Sequence, residues 1–268
     1  MRRHWKSILW AGGCLVCLAV LGLMLRNDRQ VISQLSPQLA AERWETEDNP
    51  CAMASVFLAE SEAVAWEQTG TFHVNMDKAL TDAGAGDSSW LWAASAQQEA
   101  ALKSDEGSCT AQVTVTAGDF FQIHPMEPAC GWFYQEEDLM HDRIVLNRLA
   151  AWDLFYSDNV AGQFVELDGF SYQVAAVVDV EPGRFNDLAA GALRRAWVLA
   201  DSPALLETPQ GFTCLEAVLP QPVDGFAAST LKSALGTALP EHVTVLDNSH
   251  RFSLRNRWTV RKNLTVRG

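Results

Sequence analysis

The 268-residue chain lacks the compact motifs that mark most enzymes and nucleotide-binding proteins. No G-x-x-x-x-G-K-[ST] run occurs, so the loop that cradles nucleotide phosphates is missing and any ATPase activity must come from another chain. G-x-S-x-G and H-E-x-x-H are absent as well, which removes the nucleophile elbow and the zinc-protease helix. Beyond the first 26 residues there is no C-x-x-C, so zinc ligation and thioredoxin-like chemistry are poor fits. Basic charge is scarce through the middle. All 33 acidic residues lie between Asp28 and Asp247 beside only ten Lys and Arg, giving that segment about −23 against −13 for the whole chain. Nucleic acid, which needs a basic face, is excluded as a partner. The ends are the reverse: the first 26 and the last 18 residues carry no acid.

What is present begins with Ile8 to Leu25, eighteen residues without a charge. At about 1.5 Å per helical residue they span roughly 27 Å, close to the hydrocarbon thickness of a bilayer. Arg2, Arg3 and Lys6 precede the run, so the N-terminus is expected in the cytoplasm and the bulk outside it, as a single-pass protein of the cell membrane holding lipid through residues 8–25. Trp5 and Trp10 suit the cytoplasmic interface. A cleaved signal peptide would end in a small-x-small site, and Leu21 to Arg26 offers only Gly22, so an uncleaved anchor is the preferred expectation. Cys14 and Cys17 lie inside the run as apolar fillers. Cys51, Cys109, Cys130 and Cys214 fall in the exported part, where three pairings are open to them and buried free thiols equally so.

Along the chain, residues 27–50 read as a stalk, helical through 45, in which Ser36-Pro37 is a helix-start signal. Cys51 to Leu58 is a strand candidate. Glu62 to Leu80 reads as a helix on the stripe Phe72, Met76, Ala79 and Leu80, and Thr81 to Ser89 as a loop. Gln112 to Thr116 alternates as a half-buried strand. A second strand–helix–strand series follows at Phe212 to Leu219, Asp224 to Leu235 (with Phe226, Leu231 and Leu235 inward) and Val243 to Leu246. The expected class is α+β: an N-terminal transmembrane helix and a ferredoxin-like two-half sandwich with an inserted strand–helix–hairpin subdomain. The halves are 51–118 and 206–250, the β-rich insert is 119–205, and 251–268 is a basic tail after the 1–26 anchor.

The densest local logic lies between Asp119 and Val178. Asp142 to Leu146 reads as a short buried strand and Asn147 as a helix cap. Leu149, Trp152 and Phe155 are then the inward stripe of a short helix. FVEL and FSYQVAAVV flank Asp168-Gly169, a pair suited to a type I′ hairpin turn. This order resembles the MacB-like periplasmic core domain of FtsX/MacB-type ABC-transporter permeases. The matching residues are Gly131 with Phe133, Glu136-Glu137-Asp138-Leu139, Ile144-Val145-Leu146, Leu154-Phe155, Gly162, Gly169, and Tyr172 through Val178. Two positions depart: Tyr156 stands where the family has a glycine after "LF", and Ala176 where it has one before the final valines.

The resemblance covers roughly residues 8 to 250. It implies the extracytoplasmic and anchoring part of a permease, with a separate ABC ATPase subunit as partner, a second permease copy, and motion passed outward through the membrane. Family permeases continue into three further membrane helices that are not in this sequence, so either a truncated permease or a complete single-pass relative is expected. The alternative function is a stand-alone exported binding or scaffold module acting on an envelope partner.

Residues that could carry chemistry are few. Glu136, Glu137, Asp138 and Asp142 cluster without the ligand pattern of a calcium loop and read as a solvated acidic turn. His124 and His141 have no partner motif and read as structural, with His124-Pro125 fixing a bend. Trp90, Trp92, Trp132, Trp152 and Trp197 are either core or the lining of an apolar cleft. The tail, with Arg251, Arg255, Arg257, Arg261, Lys262 and Arg267, is either attracted to anionic lipid or an ordinary terminus. No catalytic, cofactor-binding or metal residue is assigned, no cofactor is expected, and the chain is expected not to be an enzyme.

Overall fold

The computed structural model describes residues 2–32, 39–46, 49–86, 88–136, 138–179, 193–203, 211–236 and 243–248. They fall into two units. One holds residues 1–35 with 250–268, and the other runs from Ser36 to Ser249.

In the first unit, helix α1 covers Arg2–Ile32 and so carries the whole uncharged run on one helix. Side chains are described for residues 12–27, where Leu15, Val16, Leu18 and Leu23 are exposed. Among the described residues no helix is long and apolar enough to cross a membrane. The basic tail 251–268 and residues 33–38 of the expected stalk lie outside the described residues.

The second unit is a mixed α+β body dominated by one sheet. Its elements, in chain order, are α2 (Ala40–Trp44), β1 (Cys51–Phe57), β2 (Val64–Ala65), α3 (Gln68–Asp82), β3 (Leu91–Lys103), β4 (Ser108–Gly118), α4 (Phe120–Ile123), β5 (Pro128–Gly131), β6 (Arg143–Asn147), α5 (Arg148–Phe155), β7 (Phe164–Leu167), β8 (Phe170–Val178), β9 (Arg195–Leu199), β10 (Gly211–Phe212), β11 (Cys214–Pro220), α6 (Phe226–Leu235) and β12 (Leu246–Asp247). α2, the last part of the expected stalk, buries Ala40 and Ala41 and packs on β1 and β11.

At one end the strands run in the order β12–β1–β11–β3, every neighbour antiparallel. α3 connects β1 to β3, α6 connects β11 to β12, and the two helices pack against each other. Alternate residues of β1 (Ala52, Ala54 and Val56) face Phe72, Met76 and Leu80 of α3 and Leu231 of α6, as the two-residue period of a strand requires. The second strand of this series is β3, and the stretch read from sequence as that strand, 112–116, is part of the next one, β4. The sequence LWAASAQQEAALK favours a helix by propensity, yet it pairs with β4 along its whole length and with β11 and β7 on its other edge.

At the other end the sheet closes on itself. β7 pairs with both β3 and β8, so β3, β4, β9, β6, β8 and β7 form a ring. Its interior holds Val113, Val115, Ile144, Leu146, Tyr172 and Val198. Between Ile144 and Val145 the β6–β8 register shifts, leaving Ala175 as an extra residue. This bulge changes the inward parity of β8, from Tyr172 and Val174 to Val177. Gly131 of β5 lies against it: at φ +75 and with a Cβ that would sit 2.0 Å from the Ala175 carbonyl, no other residue fits.

The local reading of 142–178 holds in its elements. Asn147 caps α5, its Oδ1 accepting from the Ala150 amide at 3.0 Å, and Asp168 and Gly169 take φ of 51 and 85 in the β7–β8 turn. The inward stripe does not hold. α5 buries Ala150, Ala151 and Leu154, while Leu149 is 38% and Trp152 49% exposed and Phe155 is half-buried. The cap fixes the helix rotation, and small alanines permit close approach to the sheet where larger residues would not fit. Helix α3 starts at Gln68, later than Glu62, because Glu60–Glu62 forms a 3-10 turn and Val64–Ala65 pairs with β10. The last strand shrinks to two residues at 246–247.

Candidate functional site

Where β3 begins and β4 and β9 end, a groove of about 860 Å³ opens, reached also by α3, α4 and the loop after β5. Its position follows from one close contact. Gly118 closes β4 at φ +71, and a Cβ there would stand 2.5 Å from the Trp92 carbonyl and 2.8 Å from its ring. Glycine thus lets Trp92 fold over the strand end. Asp119 locks the same corner: its amide donates to the Trp92 carbonyl at 2.7 Å and its Oδ2 accepts from the Trp92 amide at 3.2 Å.

The walls are aromatic. Phe121 and Phe133 stack with centroids 4.4 Å apart at 19°, and Tyr134 meets Phe121 edge-on at 5.1 Å. Phe120 packs against Phe121 at 5.5 Å and against the His124 ring at 4.4 Å on its other side. Beneath, the buried Thr116 hydroxyl donates to the Val198 carbonyl at 3.2 Å and lies 2.9 Å from the Tyr134 hydroxyl. Burial pushes the Tyr134 phenol far above its ordinary range, the Thr116 bond opposing it only in part, so it stays neutral and donates. Asp119 and Glu136 supply carboxylates. Glu136 Oε2 accepts from the Gly118 amide at 2.8 Å and Asp119 Oδ1 from the Gln122 side chain at 2.9 Å.

The five tryptophans weighed from sequence part company. Trp92 alone of them lines the groove. Trp197 is buried in the cluster that holds Phe120, Tyr134 and Leu199 but does not line the groove, and Trp90 donates to Asp77 beside Phe72. Trp132 is 84% exposed. Of the acidic turn, Glu136 faces the groove, Asp138 accepts from the Gln135 amide, and Glu137 lies outside the described residues. Among the described residues no group of three or more His, Cys, Asp and Glu is placed to hold a metal ion. Both histidines are tied into the fold. His124 Nε2 meets Glu216 Oε2 at 2.5 Å and His141 meets Asp201 at 2.6 Å.

All six cysteines are free thiols. Burial, with the Asp153 carboxylate adding and Arg194 opposing, pushes Cys109 up to about 11. Burial and Glu45 raise Cys51, and burial with Glu216 raises Cys214 well beyond the ordinary thiol range. Thiols held protonated in this way are poor nucleophiles.

A family model described as the MacB-like periplasmic core domain matches residues 18–213. Among solved structures the body is similar to the periplasmic region of MacB from Actinobacillus actinomycetemcomitans. Identity is 13% and the TM-score 0.50, over 80% of this chain and 92% of that one. It is also similar to the extracellular domain of the noncanonic ABC-type transporter YknZ from Gram-positive bacteria. There identity is 13% and the TM-score 0.48, over 73% of this chain and 99% of that one. No curated protein sequence matches the chain.

Proposed function

The chain belongs to the MacB-like periplasmic core domain family, and from that premise we propose that it is the anchored extracytoplasmic part of an ABC-transporter permease, driven by a separate ATPase chain. The family match over 18–213 is the observation that carries this reading. On it, residues 8–25 cross the membrane once with the N-terminus inside, as Arg2, Arg3 and Lys6 favour. The body does no covalent chemistry. Its role is to relay nucleotide-driven movement and to make contacts outside the cell, with a second permease copy as a further partner.

The body suits a relay. We read 51–118 with 206–250 as a membrane-proximal, ferredoxin-like part, whose strand order β12–β1–β11–β3 fits that class, and 119–205 as an insert. The β3–β4 hairpin belongs to both, since β3 pairs with β11 near one end and with β7 near the other. Displacement of the four-stranded part therefore reaches the ring through continuous hydrogen-bonded strands and not through a soft linker. Affinity purification of the chain from native membranes tests the reading. An ATP-binding subunit that co-purifies supports it, and recovery of the chain with other envelope proteins but never with an ATPase contradicts it.

A further inference from the structure

We infer that α4 is a joint through which the end of the stalk and the strand β11 set the shape of the groove, with Arg43, His124 and Glu216 as its positioning residues. That the joint serves a relay rests on the permease reading; that it acts on the groove rests on geometry alone. α4 is a single turn, Phe120–Ile123, too short to hold itself in water, so its place is set by what grips it. At its start Asp119 binds both backbone groups of Trp92. At its end two elements from outside 119–205 converge. Arg43 of α2 donates from its guanidinium to the Ile123 carbonyl at 2.9 Å. The next residue, His124, meets Glu216 of β11 at 2.5 Å. Glu216 alone in β11 is charged, and it stands between Ser55 and Ala93 of the neighbouring strands with its side chain 9% exposed. A carboxylate so buried is costly without a partner, so the contact with His124 ties α4 firmly to β11.

From His124 a run of ring contacts leads to the groove. Its imidazole stacks on Phe120 with centroids 4.4 Å apart at 20°. Phe120 meets Phe121 edge-on at 5.5 Å, and Phe121 stacks on Phe133 at 4.4 Å. Phe120, Phe121 and Phe133 all line the groove. Close-packed rings pass a displacement on because they have no space to absorb it. The β3–β4 hairpin reaches the ring strand by strand, and α4 adds a branch that ends on the groove wall.

Amide hydrogen exchange of the full chain in mild detergent, read by mass spectrometry, tests the joint in both directions. Arg43→Met and Glu216→Gln nearly keep side-chain length and remove one charge each. Each should speed exchange at 119–136 by about five-fold or more, while β6 and β8 exchange as in the parent. Coupling is reciprocal. Phe133→Ala, on the groove wall, should therefore speed exchange at 39–46, and it should add nothing there in the Arg43→Met background. Unchanged exchange at 119–136 in either variant, or an increase spread evenly over the sheet, overturns the joint. So does a Phe133→Ala effect at 39–46 that is absent, or that is equal with and without Arg43. Arg43 is exposed and Phe133 half-buried, so the reciprocal arm decides the matter if Glu216→Gln does not fold. No ATPase enters the measurement, so its failure leaves the permease reading standing, and failure of that reading leaves the joint standing.

Discussion

Tyr156 occupies the end of α5 in a conformation that usually belongs to glycine. Its φ of 54 and ψ of 24 are left-handed, and its amide donates to the Trp152 carbonyl at 2.9 Å. The family pattern that Tyr156 breaks in wording is therefore kept in backbone geometry, at the cost of Cβ strain. The side chain is 67% exposed and loses little on removal, so Tyr156→Gly should stabilise the fold by about 1 kcal/mol, seen as a raised midpoint in chemical denaturation. Cys109 gives a second residue-scale expectation. Its folded pKa of about 11 stands above the ordinary thiol value of 9.0. The folded form holds the proton more tightly, so this contribution is fully present below about 9 and is lost as pH rises through 11. Thermal melts between pH 8 and 11 should fall less steeply for Cys109→Ser than for the parent, and parallel curves would show that the thiol is not buried as described.

Among the elements, legibility follows the range of the signal. The β6–α5–β7–β8 series was readable because each cue is local: Asn147 caps its own helix, and Asp168-Gly169 makes its own turn. β3 was not readable, because alanine, glutamine and glutamate favour a helix and only pairing on both edges makes Leu91–Lys103 a strand. The buried face of α5 differs from the spacing-based stripe for a related reason. Spacing identifies a helix, but the cap and the tight fit of Ala150 and Ala151 decide which side turns inward. Chemical denaturation should separate the two faces. Leu154→Ala, at a fully buried site, should cost about 2–4 kcal/mol, whereas Leu149→Gln and Trp152→Gln should each change stability by about 0.5 kcal/mol or less. The reverse ranking would restore the stripe read from sequence.

At the scale of the whole molecule, sequence order conveyed the second strand–helix–strand series, the first two elements of the first series and the family, and it conveyed neither the closed ring nor the groove. The ring depends on β7 reaching β3 across more than sixty positions, through Leu102 and Leu167. The groove gathers residues from His73 to Leu199. Of its aromatic lining, the sequence offers only Trp92 as a candidate cleft residue. The charge pattern does act at this scale, since acid is confined between Asp28 and Asp247 and both ends are basic. Of this pattern, the basic residues Arg2, Arg3 and Lys6 before the apolar run are what the proposed orientation draws on.

That arrangement is open to direct measurement by reporter fusion in a bacterial cell. Alkaline phosphatase, active only outside the cytoplasm, and a green fluorescent protein, bright only inside it, are each joined after Ser249. The account predicts a membrane-bound fusion with an active phosphatase and a dark fluorescent protein. A bright fluorescent protein with an inactive phosphatase would contradict it.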